Sequence, residues 1–119
     1  MWVIEPTSLF ERRAKKWEKK RPRELAAALD NLNDYLKFLN QNLPVRQIRA
    51  GFIHVEPKGI VAIDQSGANE SNLTVTRLYC FPDEKNKILY LITLGDKKSQ
   101  SDDIQGAKKF VDQWRQSNE

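Results

Sequence analysis

The chain has 119 residues and a mass of 13.8 kDa, enough for one domain around one modest core and too little for a cofactor domain joined to a substrate domain. It is 39% hydrophobic and 30% charged, a balance that excludes a fully disordered chain. Net charge is +4, and it is unevenly placed: residues 1–50 carry 11 Lys/Arg against 6 Asp/Glu, whereas residues 51–119 carry 9 against 10. No apolar run approaches the ~20 residues of a membrane-crossing helix. Residues 1–5 lead into charge rather than an apolar stretch, which argues against a signal peptide. One cysteine, Cys80, allows no internal disulfide and no cysteine-rich zinc site, and its apolar setting reads as a small buried hydrophobe. A cytoplasmic location fits these features.

Trp2-Val3-Ile4, ending at Glu5-Pro6, reads as a first strand. Thr7 or Ser8 can cap a helix whose apolar face is Phe10, Ala14 and Trp17. The rest of that helix is basic. Arg12, Arg13, Lys15, Lys16, Lys19, Lys20, Arg21 and Arg23 supply most of the positive charge, and such a cluster attracts polyanions because neutralised phosphates release counterions. Arg21-Pro22 breaks the helix. Leu25, Leu29, Leu32, Leu36, Leu39 and Leu43 then recur at alternating spacings of four and three, a continuous stripe predicting a second helix between Pro22 and Pro44. The short connection predicts an antiparallel helical hairpin packed on a sheet.

From Val45 the character turns to β. Residues 48–55 and 60–64 read as short strands around the turn Glu56-Pro57-Lys58-Gly59, and 65–72 as a polar, mobile loop. Residues 73–81 form a strong strand and 82–86 its turn. Residues 87–94 are apolar on both faces and predict a central strand that Gly95 stops. Asp102 or Asp103 is the expected cap of a last helix with the face Ile104, Ala107, Val111 and Trp114, Phe110 adjacent. The order β-α-α-β-β-β-β-α predicts a single α+β domain over residues 1–119.

The segment Val75-Thr76-Arg77-Leu78-Tyr79-Cys80-Phe81, a charged turn, and Ile88-Leu89-Tyr90-Leu91-Ile92-Thr93-Leu94-Gly95-Asp96-Lys97-Lys98-Ser99-Gln100 resembles the RelE/ParE/HigB toxin superfamily, nearest its phage-derived HigB-like branch. The resemblance covers roughly residues 73–115. It implies a RelE-like fold, with a small antiparallel sheet, an N-terminal helical hairpin and a C-terminal helix. It also implies an antitoxin partner and cleavage of mRNA on the ribosome with neither metal nor cofactor. The ParE branch instead inhibits gyrase, which leaves a gyrase-binding module as the alternative, beside an inactive RNA- or protein-binding relative.

Metal-free cleavage makes the 2′-hydroxyl attack the adjacent phosphate and needs a base, an acid and cations for the phosphoryl oxygens. Arg77 matches the strand arginine and Lys97 and Lys98 the lysine pair of the loop; by the resemblance these three are the candidate catalytic residues. Arginine suits phosphate because its planar fork grips two oxygens and stays charged. Arg12, Lys16, Lys19, Lys20 and Lys58 are the candidate RNA-binding residues. Residues 60–64 hold no lysine, and the tail 116–119 no tyrosine or histidine, so acid and base are unassigned; His54, the one histidine, and Lys58 are candidates to substitute.

Overall fold

The protein, seen in a computed structural model that describes residues 1–66 and 73–118, is α+β. Its strands are β1 (Val3–Pro6), β2 (Ile53–Val55), β3 (Val61–Asp64), β4 (Thr76–Asp83) and β5 (Ile88–Asp96); its helices are α1 (Ser8–Lys20), α2 (Pro22–Asn40) and α3 (Gln100–Ser117). The polar loop expected over 65–72 lies, from 67 on, outside the described residues.

The strands form one sheet in the order β1-β5-β4-β3-β2. β2 to β5 pair antiparallel, but β1 runs parallel to β5, so the sheet is mixed rather than wholly antiparallel as expected. A four-residue strand carries no signal naming its partner, and this partner lies more than 80 residues away. Pro6 is tolerated here because the donors to β5 alternate, Val3 to the Lys87 carbonyl and Thr7 to the Leu91 carbonyl, both at 3.0 Å, so its missing N–H falls on the side away from β5. Thr7 then fixes the next element twice. Its side chain accepts from the Phe10 N–H at 3.1 Å, capping α1, and its hydroxyl donates to the Ile92 carbonyl at 2.7 Å.

Helices cover both faces. Against α1 and α2 lie Val61, Ile63, Leu78, Cys80, Leu89, Leu91 and Leu94; against α3 lie Ile60, Ala62, Tyr79, Phe81 and Ile92. The leucine stripe is rotated from its expected line. The buried face of α2 is Leu25, Ala28, Leu32, Tyr35 and Leu39, with Leu29 and Leu36 at its margin and Leu43 exposed beyond the helix end. Leu39 is fully buried, and truncating it to alanine would cost about 3 kcal/mol.

Other boundaries move for identifiable reasons. Of residues 48–55 only 53–55 are strand; Val45–Gln47 is a 3₁₀ turn that brings Ile48 into the core. β5 continues through Gly95 to Asp96, because Gly95 pairs with Arg77 in register. α3 starts at Gln100, not at an Asp102 or Asp103 cap. Asp96 organises the approach by accepting from the backbone N–H of Lys98 at 3.0 Å and of Ser99 at 3.1 Å. α3 begins over Gly95 and runs to the Pro57–Gly59 turn, where its Asp112 meets Lys58 and its Trp114 packs edge-on against Phe81 at 4.8 Å.

Candidate functional site

Register places the chemistry. His54, Ala62, Tyr79 and Thr93 are successive partners across β2 to β5; Asp64, Arg77 and Gly95 are partners one step further along. Partners across an antiparallel ladder share a face, and this face is the one α3 covers. Because α3 slants from β5 toward the β2–β3 turn, the corner holding His54, Asp64 and Arg77 lies beside the helix rather than under it.

In that corner Arg77 is half-buried. Its guanidinium forms no hydrogen bond or ion pair among the described residues, and its Nε is buried without a partner. The Tyr79 hydroxyl beside it is likewise buried and unpartnered. Burial, with the Asp103 carboxylate, pushes Tyr79 up to about 12, against the pull of the Arg77 charge, so the hydroxyl keeps its proton near neutrality. His54 Nε2 lies 2.6 Å from Asp64 Oδ2, and Asp64 Oδ1 accepts from the Ser66 N–H at 2.8 Å. Burial opposes ionisation of Asp64, but the hydrogen bonds from Ser66 and His54 outweigh it and hold its carboxyl below the ordinary value.

The far side of the corner is closed by Arg13. Its Nη1 donates to Thr93 Oγ1 at 2.7 Å, to the Leu94 carbonyl at 3.2 Å and to Asp103 Oδ1 at 2.6 Å, tying α1 to α3 across the part of the β5 edge that β1 leaves unpaired. Arg13 and Arg21 therefore leave the basic cluster for structural duty. Arg21 stacks over Trp17 at 5.3 Å and pairs with Asp96 at 3.1 Å. Burial works against the Asp96 charge, yet hydrogen bonds from Ser99, Arg21 and Lys98 and the Arg21 charge keep its carboxyl below the ordinary value.

What remains on α1 is a ridge of Arg12, Lys15, Lys16, Lys19 and Lys20, all exposed and free of ion pairs among the described residues. Lys97 and Lys98 stand at the end of that ridge. They line one hollow with Arg21, Thr74 and Asp96 and a second with Gln100, Ser101, Ile104 and Gln105. Arg77 and the lysine pair thus meet at the same end of the sheet, but Arg77 lines neither hollow. Lys58 is elsewhere, at the opposite end of β3, where its Nζ pairs with Asp112 at 2.6 Å and its carbonyl accepts from Arg115 Nη2 at 3.2 Å. Cys80 is fully buried on the α2 side, and burial pushes its thiol up to about 12, which removes it from nucleophilic chemistry near neutrality.

Asp64 was not singled out from the sequence, although a signal for it exists: a hairpin closing over 56–60 puts 54 opposite 62 and turns 62 and 64 to one face. Among the described residues no group of three His, Cys, Asp or Glu side chains is placed to hold a metal ion. No protein-family model, no curated protein and no solved structure matches this chain.

Proposed function

We propose that the protein is a toxin of the RelE/ParE/HigB kind, a cytoplasmic, metal-independent endoribonuclease that cuts mRNA on the ribosome and is held in check by a cognate antitoxin. The observation carrying this reading is the Arg77 guanidinium, half-buried at the corner of the sheet with no hydrogen-bond or ion-pair partner among the described residues. An internal arginine without a counter-charge is costly unless something anionic completes it, and a phosphodiester offers the two oxygens its fork is shaped to grip. Charge developing on those oxygens during 2′-hydroxyl attack would be met where water is partly excluded, which strengthens the interaction. The α1 ridge and the Lys97–Lys98 loop supply a sequence-independent hold on the RNA backbone at the same end of the sheet. An antitoxin complementary to this surface would present carboxylates to the ridge.

Induced expression is expected to arrest growth and to cut mRNA at codon boundaries, and Arg77→Ala is expected to relieve both. Wild-type expression that leaves translation untouched refutes the reading. The separation of Arg77 from the hollows lined by Lys97 and Lys98 favours a second reading, a ParE-like gyrase-binding module without catalysis of its own. A DNA-damage response without mRNA cleavage would select it.

A further inference from the structure

Metal-free cleavage needs a proton acceptor, and the corner around Arg77 contains one poised to act. His54 and Arg77 stand two strands apart and two residues offset on one face, roughly 12 Å between backbones. Between them on the intervening strand are Ala62, buried at the margin of the α3 core, and Asp64, which reaches sideways to His54. The Asp64 carboxylate only accepts, so the proton of the pair resides on His54 Nε2, and in the neutral ring the lone pair is then on Nδ1. His54 is partly exposed while Asp64 is buried, so the carboxylate anchors the ring through Nε2. Two buried donors without hydrogen-bond partners among the described residues, Arg77 Nε and the Tyr79 hydroxyl, stand along the same row of β4. Buried donors are rarely left unsatisfied, and a bound oxyanion is the partner that would satisfy this pair. The remaining titratable neighbours, Glu56 after β2 and Asp103 from α3, both act on Tyr79.

Resting on the reading above, we infer that His54 is the general base of the site and Asp64 its positioning residue, with the scissile phosphate held by Arg77. The ribose 2′-hydroxyl gives its proton to His54 Nδ1 as its oxygen bonds to phosphorus. The bond from phosphorus to the 5′-oxygen breaks, and that oxygen leaves with a proton from water. The products are a 2′,3′-cyclic phosphate and a 5′-hydroxyl end, with no net oxidation or reduction. Lys58, the other substitute considered, is engaged by Asp112 and lies at the wrong end of β3.

Two measurements on the intact protein test this. Nitrogen-15 NMR of the imidazole is expected to show the Nε2–H tautomer in the wild type and its loss of dominance in Asp64→Ala; a dominant Nδ1–H form in the wild type overturns the assignment. Single-turnover cleavage of mRNA on programmed ribosomes is expected to fall at least 100-fold in His54→Gln, and the acid limb of the rate–pH profile is expected to vanish. His54→Gln is partly exposed, and circular dichroism would verify its fold. If the wild type cleaves and His54→Gln cleaves equally well, the base is wrong while the toxin reading stands. If the wild type cleaves nothing, both fall.

Discussion

Gly95 offers a sharp test of how the corner is assembled. A Cβ built on Gly95 would collide with the Asp103 carboxylate and the Ser99 hydroxyl. Neither can yield cheaply. Asp103 is buried, with Oδ1 against Arg13 at 2.6 Å and Oδ2 accepting from the Ser99 hydroxyl at 2.7 Å. Gly95→Ala must therefore push the start of α3 off β5 or pull a buried carboxylate from its guanidinium. Overpacking costs about 1–3 kcal/mol, and breaking a buried pair about 3–5, reduced here because the Arg13 side chain is 35% exposed. The expected loss is about 3 kcal/mol. For a chain of 119 residues, with an unfolding entropy of roughly 2.1 cal/mol/K per residue, that lowers Tm by about 12 °C. Urea unfolding and thermal melts followed by circular dichroism would measure it. Gly106, exposed on α3 with nothing near its missing Cβ, is the control: Gly106→Ala is expected to stabilise by about 0.8 kcal/mol. In an Asp103→Ala background the cost of Gly95→Ala should fall, since one of the two obstacles is gone and the Ser99 hydroxyl, having lost its acceptor on Asp103, can rotate away. A Gly95→Ala variant as stable as the wild type would refute the packing argument.

Three more outcomes are expected. Asp64 and Asp96 are held below their ordinary values in the folded chain, so the unfolded state takes up protons first as the medium is acidified. Stability should thus be level above about pH 5 and fall as pH drops through about 4 and below; urea midpoints against pH read this, and Asp96→Asn should flatten the decline. Replacing Lys16, Lys19 and Lys20 with glutamine should weaken single-stranded RNA binding whatever its sequence and make the plot of log affinity against log salt shallower by about 2, near 0.7 per lost contact; fluorescence anisotropy at several salt concentrations would show it, and an unchanged slope would remove the ridge from the interface. Cys80 should react with a thiol reagent only as fast as the chain unfolds; complete labelling of the native protein within minutes would contradict its burial.

The parts of the fold legible in the sequence are those set by local pattern. The period of α2, the doubly apolar β5 and the face Ile104, Ala107, Val111 and Trp114 of α3 all reappear in the core. The leucine stripe of α2 lies one notch from its buried face, because counting leucines alone passes over Ala28 and Tyr35, which lie fully buried between them. Pairing of β1 with β5 was beyond reach, as nothing in Val3–Pro6 encodes a partner at Ile88 to Leu91. The site divides the same way. Arg77 on the penultimate strand and the lysine pair after the last strand can be placed from pattern, although Arg77 is the second residue of β4 and not in mid-strand, because the strand starts at Thr76 rather than at residue 73. That Arg77 lacks a partner among the described residues while Arg13 has three depends on contacts 80 to 90 residues apart, which charge counting cannot see.

That contrast between two arginines explains why the corner stays open. Arg13 satisfies Asp103 from the α1 side, so the one buried carboxylate that α3 brings over the sheet has no need of Arg77. Asp64, the nearest carboxylate across the ladder, is likewise taken by His54 and Ser66. Among the described residues each acid close to Arg77 is engaged elsewhere, and α3 slants away toward the β2–β3 turn instead of capping the guanidinium. An arginine kept for stability alone would be expected to hold one of these two carboxylates. Removing the Arg13 side chain should therefore do more than destabilise: in Arg13→Ala the freed Asp103 can turn toward Arg77, and an anion bound there should be weakened even though Arg13 never touches it. Titration with inorganic phosphate, followed by the Arg77 Nε–H resonance, would decide it, since phosphate affinity equal to that of the wild type would show that Asp103 and Arg77 are independent.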